Sequence, residues 1–250
     1  MKSFRIIFAA FFLATFVASN AFGSFISAAP GRIEPQRLRW KDNSISIAIS
    51  SSLVELSTNI KAGSDVPGAI RKSIQAWQKV ADVEILIQPS EEQSVSPSEV
   101  GDGVSLITIA QTPENVVLFS KYPQAESAKT RVFYNRKGFI TEADIVLSPF
   151  LQFSTDGSFG TFDLEATLTH EIGHLLGLRH SGVLGSTMAN SILMNGELGI
   201  AGLGTRLLAN SDIASIRDLY GMPDESEICC AAVTGKLTNL SPRPFKNLRI

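Results

Sequence analysis

Alternating apolar and polar positions predict the β-strands of this chain. Ile45, Ile47 and Ile49 alternate with serine and alanine, which is the two-residue period of a strand with one buried face. Runs rich in Val, Ile and Leu predict further strands at residues 83–88, 104–111, 129–135 and 138–148. The polar, Ser- and Gly-rich segment at 91–103 is predicted to be a loop.

Apolar residues spaced three and four apart predict three helices. The first begins near Asp65 and Pro67, and its apolar face is formed by Ile70, Ile74, Trp77 and Ala81. The second covers residues 163–178 with Asp163 as its N-cap, and the third covers 210–221 and ends at Gly221. Because most strands precede the last two helices, the order of elements predicts an α+β fold.

The first 21 residues have the layout of a secretory signal peptide. Lys2 and Arg5 precede an apolar run at residues 6–18, and Ser19-Asn20-Ala21 fits the small-x-small cleavage pattern. We predict cleavage after Ala21; an uncleaved membrane anchor is the second interpretation. The mature protein is expected to be secreted or periplasmic, with no membrane segment.

Charge and cysteine content argue against two classes of protein. Removing Lys2 and Arg5 leaves 20 basic and 24 acidic side chains, a formal net charge of −4, so no basic surface for nucleic acid is expected. The two cysteines, Cys229 and Cys230, are adjacent and late in the chain. A disulfide-stapled scaffold needs spaced pairs, so this class does not fit.

All three histidines of the chain lie within eleven residues, at His170, His174 and His180. The first two are four residues apart and share one face of a helix, and Gly177 lets the chain turn so that His180 returns to the same point. Three neutral imidazoles leave one coordination position open, which is typical of a catalytic zinc. Glu171 is placed to act as the general base on water at that position.

The segment HEIGHLLGLRH resembles the zinc-binding motif of the metzincin proteases, and Met188, eight residues further on, resembles their Met-turn residue. Ser181 after the third histidine, the strand at 143–148 and the closing helix at 211–221 are most similar to the matrixins, in a compact bacterial-like form. The resemblance implies a mixed five-stranded sheet with three helices and a zinc cleft, in which Met188 and Gly177 support the site.

The resemblance also divides the chain. It implies a matrixin-like catalytic domain at 39–222, preceded by a short segment at 22–38 and followed by a tail at 223–250, which is either a fragment of a β-module or pairs with the main domain. An extended peptide substrate is expected to pair with the edge strand at 129–135. The substrate-strand residues would be Arg131, Val132, Phe133 and Tyr134.

Departures from the family limit the metal sites. One zinc ion uses all three histidines, so none remains for a second histidine-bound zinc. The loop at residues 154–163 has acidic residues and glycines that suit Ca²⁺, but an ordinary capped surface loop is the favoured interpretation. No cysteine precedes Cys229, which excludes latency through a propeptide thiolate.

The sequence therefore predicts a secreted zinc endopeptidase, expected to be a monomer that acts on protein or peptide substrates. Two other functions stay open. One is a zinc amidase that acts on cell-wall peptides through the same site, and the other is a binding module whose site is catalytically silent.

Overall fold

The computed structural model describes residues 37–55, 57–121, 126–197 and 206–223. The predicted signal peptide, most of the segment at 22–38, and the tail from residue 224 lie outside these described residues. Within the described ranges, none of the helices has both the length and the apolar character that a membrane crossing requires.

Six strands form one mixed sheet in the part of the chain that the structure describes. Its spatial order is β1-β6-β4-β2-β3, with β5 antiparallel to β6 along the remaining edge. The other pairings are parallel. The strands are β1 (Arg39–Trp40), β2 (Ser44–Ser50), β3 (Glu84–Ser90), β4 (Leu106–Thr108), β5 (Ala128–Tyr134) and β6 (Phe139–Leu147). A separate parallel pair is formed by β7 (Phe153–Ser154) and β8 (Phe162–Asp163).

The three predicted long helices are present, and two short ones accompany them. The long helices are α2 (Val66–Gln78), α4 (Leu164–Leu175) and α5 (Asn210–Tyr220); the short ones are α1 (Ser51–Val54) and α3 (Pro113–Val117). The α+β class is confirmed, whereas the counts of five strands and three helices were too low. The additional elements have two to five residues each, too short for their periodicity to be recognised.

Three aromatic side chains fasten α4 to its neighbours. The Trp77 indole of α2 donates to the carbonyl of Thr169 at 2.9 Å, and the Trp40 indole of β1 donates to Leu175 at 2.9 Å. The Tyr220 hydroxyl of α5 donates to Leu176 at 2.8 Å. Because these donors come from three separate elements, the helix that carries the first two histidines is held at its middle and at its C-terminal end.

Two acidic side chains of β6 are buried beneath the loop at residues 96–103. The Glu142 carboxylate accepts the Asp102 N–H at 2.7 Å, and Asp144 accepts the Leu106 N–H at 3.2 Å. Burial, with a smaller contribution from the Glu142 charge, raises the pKa of Asp144 from 3.8 to about 7. Arg131, opposite Asp144 on β5, donates to the carbonyls of Ser96 and Ser98 and ties the loop to the sheet.

Asp144→Asn is expected to stabilise the protein at pH 8 but not at pH 4. Between pH 3.8 and about 7 the folded state keeps a proton that the unfolded state has released, so the free energy of unfolding falls as pH rises through that window. The neutral amide avoids this loss and keeps an acceptor for Leu106. The gain is about 4 kcal/mol at pH 8, measured by urea unfolding at both pH values. An equal gain at pH 4 would contradict a titration effect.

Candidate zinc site

The three histidines converge on one point. His170 and His174 lie one turn apart on α4, and their Nε2 atoms are 3.1 Å apart. The Nε2 atom of His180 is also 3.1 Å from that of His174. Two nitrogens bound to one tetrahedral Zn²⁺ at 2.0–2.1 Å would be about 3.3 Å apart, so the spacing fits a shared ion. Among the described residues, they form the one cluster of three potential metal ligands.

Gly177 allows the third histidine to reach the first two. The helix ends at Leu175, Gly177 has φ +99°, and its N–H bonds to the carbonyl of His174 while the Leu178 N–H bonds to that of Gly173. This pair of bonds is a Schellman motif, which needs a left-handed residue. A Cβ on Gly177 would also lie 2.2 Å from the Leu38 carbonyl oxygen. The helix therefore ends three residues before the predicted boundary at 178.

Gly177→Ala is expected to destabilise the fold by about 2–3 kcal/mol, because it adds left-handed strain and a backbone clash. The midpoint of urea unfolding measures the loss. Gly182→Ala is the matched control, since a Cβ there meets no atom within 4 Å. Equal stability of the two variants would show that the turn tolerates a side chain.

Backbone carbonyls orient two of the three imidazoles. The Nδ1 atom of His170 lies 2.7 Å from the Thr187 carbonyl, and that of His174 lies 2.8 Å from the Leu178 carbonyl. Because a carbonyl only accepts, each Nδ1 is the donor, and each Nε2 keeps its lone pair for a metal. Burial lowers the pKa of His170 to about 4 and also lowers the pKa values of His174 and His180. All three rings are therefore neutral at pH 7.

Met188 is buried against α4, the helix that carries His170 and His174. It has no exposed surface, and its carbonyl accepts the Ser181 N–H at 2.6 Å, which joins the turn to the residue after His180. A Cβ on Gly173 of α4 would lie 2.3 Å from the Met188 sulfur. Gly173 therefore allows the close approach of helix and turn. The sequence reasoning did not single it out, although a glycine inside a helix was an available signal.

Asp212 of α5 holds the Met188 turn from below. This fully buried carboxylate accepts the Thr187 N–H at 2.8 Å, the Ser186 hydroxyl at 2.5 Å and the Ala209 N–H at 3.1 Å. The carbonyl of Thr187 in turn orients His170. Asp212 is thus linked to His170 through one residue, Thr187. The sequence reasoning missed it, because an acidic residue in the first turn of a helix has an ordinary capping explanation.

Glu171 faces the same cavity as the histidines, and its side chain is buried. Burial is the largest influence on its pKa and raises it, while the hydrogen bond from the Thr130 hydroxyl acts in the opposite direction. The Thr130 hydroxyl donates to Glu171 Oε2 at 2.6 Å. The cavity has a volume of about 700 Å³, within the range of ligand sites, and Leu193 and Met194 lie on its rim with exposed side chains. A buried carboxyl beside three neutral imidazoles is suited to proton transfer.

Strand β5 forms one wall of this cavity, through Ala128, Lys129, Thr130 and Val132. Of the four predicted substrate-strand residues, Val132 alone contributes to that wall. Arg131 stacks on the Phe133 ring at 4.8 Å and binds the loop at 96–103 on the other face of the sheet. Tyr134 follows a register shift in the pairing with β6 and is exposed. Within the described residues, β5 pairs with β6 only, so its other backbone edge is unpaired.

Two acidic residues of the loop at 154–163, for which calcium was the less favoured interpretation, have cationic partners. Asp156 pairs with Lys61 at 2.7 Å, and Asp163 pairs with Arg206 at 2.6 Å while capping α4 through the Ala166 N–H. These contacts account for both carboxylates. The structure therefore favours the capped surface loop and gives no support to calcium at residues 154–163.

The site has the layout of a metzincin zinc site. A helix carries two histidines, a glycine turn leads to the third, and a buried methionine packs against the helix. Residues 112–221 match the matrixin family model, from the residue before α3 to the end of α5. The match supports a matrixin-like metzincin catalytic domain in this part of the chain and, with it, a zinc metalloendopeptidase in general. No curated protein matches the chain closely enough to extend the comparison.

Proposed function

We propose that the protein is an endopeptidase that cleaves peptide bonds by direct attack of water, with Glu171 as the general base. The observation that carries this proposal is the convergence of three neutral Nε2 atoms beside a buried carboxyl in one open cavity. A zinc ion held by His170, His174 and His180 would lower the pKa of water and polarise the substrate carbonyl.

The protein's own groups then perform two tasks. The imidazoles of His170 and His174 are fixed by the carbonyls of Thr187 and Leu178, so these two ligands are oriented before any metal binds. Glu171 accepts the proton of the attacking water and delivers it to the leaving nitrogen, because its carboxyl reaches the cavity from the helix turn that carries the ligands. No side chain becomes covalently attached to the substrate.

Substrate would bind as an extended strand along β5. The free backbone edge of this strand borders the cavity, so the backbone of residues 131–134 offers unpaired hydrogen-bonding groups to an added strand. Arg131 and Phe133 lie on the face of β5 away from the cavity and would affect substrate binding only indirectly. They contact each other, and Arg131 binds the loop at 96–103. A peptide or protein substrate follows from this mode of binding.

We further propose that the protein acts outside the cytoplasm, either secreted or periplasmic, as a monomer. The layout of residues 1–21 supports export, and matrixins are typically extracellular. We also propose a catalytic domain at residues 39–222; β1 begins at Arg39 and α5 ends at Tyr220, close to these bounds.

The test combines metal analysis with unbiased cleavage profiling. We expect about one zinc per chain, hydrolysis of quenched peptides, loss of activity on chelation and recovery on adding zinc. A denatured proteome library should be cut at many sites. A zinc-loaded protein that leaves the library intact but releases fragments from cell-wall peptide would contradict the endopeptidase proposal in favour of an amidase. A zinc-loaded protein inert on both substrates would identify a binding module.

A further inference from the structure

We propose that Thr130 of β5 is a positioning residue that holds the Glu171 carboxylate in its reactive orientation. This inference rests on the proposed function, and it assigns a role that no histidine spacing could reveal. The Thr130 hydroxyl lies 2.6 Å from Glu171 Oε2 and 3.2 Å from the Glu171 carbonyl oxygen. The hydroxyl therefore contacts both the side-chain carboxylate and the main-chain carbonyl of Glu171.

The position of Thr130 is itself fixed. It lies in the middle of β5, where it is paired with Ile145 of the buried strand β6. A β-branched side chain in a strand has few rotamers, so the hydroxyl direction follows from the backbone. The hydroxyl has one proton, and the shorter contact, to the carboxylate, receives it. The carboxylate is thus bound to the rigid sheet rather than to a mobile loop.

Competing partners for the carboxylate are lacking in the described part of the chain. The nearby Lys129 pairs with Glu126 at 2.7 Å and lies over the Phe119 ring at 5.7 Å. No ion pair formed by the described residues includes Glu171. The hydrogen bond to Thr130 therefore restrains the glutamate side chain, which otherwise has three rotatable bonds.

The two carboxylate oxygens of Glu171 therefore have different roles. Oε2 is engaged by Thr130, which leaves Oε1 to face the cavity and the attacking water. In a freely rotating carboxylate the two oxygens would exchange positions, and in many of its orientations neither oxygen would face the attacking water. Near-attack geometry accounts for a large share of enzymatic rate enhancement, so losing the restraint should lower kcat rather than substrate affinity.

Thr130→Val tests this role, because valine keeps the shape and branching but removes the donor. We expect kcat to fall about 10- to 100-fold, the range for losing a hydrogen bond to a charged group, with KM within about twofold of the unaltered protein and zinc content unchanged. Thr130→Ser keeps the hydroxyl and should retain most of the activity. Thr141→Val is the matched control, on an exposed position of the neighbouring strand β6.

A second measurement does not depend on catalysis. Urea unfolding of metal-free Thr130→Val, Glu171→Ala and the double variant forms a double-mutant cycle, and the shifts in unfolding midpoint should be non-additive because the two side chains are in contact. Additive shifts would overturn the contact, even if the purified protein proved inactive.

Three kinetic results would overturn the positioning role. They are an unchanged kcat in Thr130→Val, a raised KM with unchanged kcat, and equal losses in the serine and valine variants. The second of these would make Thr130 a substrate contact instead. Each of them leaves the proposed function standing, because that function fails only if the unaltered, zinc-loaded protein does not cleave peptides.

Discussion

Glu171→Ala is expected to keep its zinc and lose peptide-bond hydrolysis by a factor of about 10³ or more, which is within the range for removing a general acid–base group. The three histidines do not depend on this side chain for their orientation, since Thr187 and Leu178 hold two of them. Zinc content by elemental analysis and kcat/KM on a quenched peptide measure the two effects separately.

Glu165→Ala is the matched control for this experiment. Glu165 lies on the same helix, α4, but pairs with Arg206 and does not line the cavity. Its loss should change kcat/KM by less than about threefold, because the side chain lies outside the cavity and cannot exchange a proton with substrate or water there. Full activity in Glu171→Ala would refute the general-base assignment, and loss of zinc from that variant would show that the carboxylate contributes to metal binding.

Asp212→Ala is expected to weaken both the fold and the zinc site. It leaves the Thr187 N–H, the Ser186 hydroxyl and the Ala209 N–H without the buried acceptor that satisfies them. The cost should be about 4 kcal/mol in unfolding free energy, because several buried donors lose a charged partner. Zinc affinity should fall about 10- to 100-fold, as when an outer partner of a metal ligand is removed.

Asp218→Ala provides the comparison within the same helix. Asp218 is more than half exposed and pairs with Arg37 at the surface, so its loss should have little effect on stability or on zinc binding. Zinc competition with a chelator and urea unfolding measure the two quantities. If Asp212→Ala lost stability but kept full zinc affinity, the carboxylate would support α5 without orienting His170.

The features of the site that the sequence predicted are those joined by short, regular spacing. His170 and His174 follow from helix periodicity, and Gly177 and His180 follow from the way a helix ends. Met188 came from resemblance to a family motif. Each lies within a few turns of its neighbour along the chain, so local geometry determines the contact.

Thr130 and Asp212 could not be found in this way. Thr130 reaches Glu171 across 41 residues, and Asp212 reaches Thr187 across 25. Such contacts depend on which strands become neighbours and how the helices dock, and neither follows from periodicity. For the same reason, the sequence predicted the α+β class but not the order of the strands in the sheet. The two-residue strands were also missed, because they are too short to show a period.

Asp212 lies C-terminal to all three histidines, so during synthesis the zinc ligands emerge before the carboxylate expected to support them. When residues up to His180 have been synthesised, all three imidazoles are present, but the carboxylate that anchors the turn beneath them is still to come. The hydroxyl of Tyr220, which secures the end of α4, follows later still. A nascent or truncated chain that lacks α5 would carry every ligand without the support that aligns them. We therefore expect the site to reach its aligned arrangement only after α5 has been added.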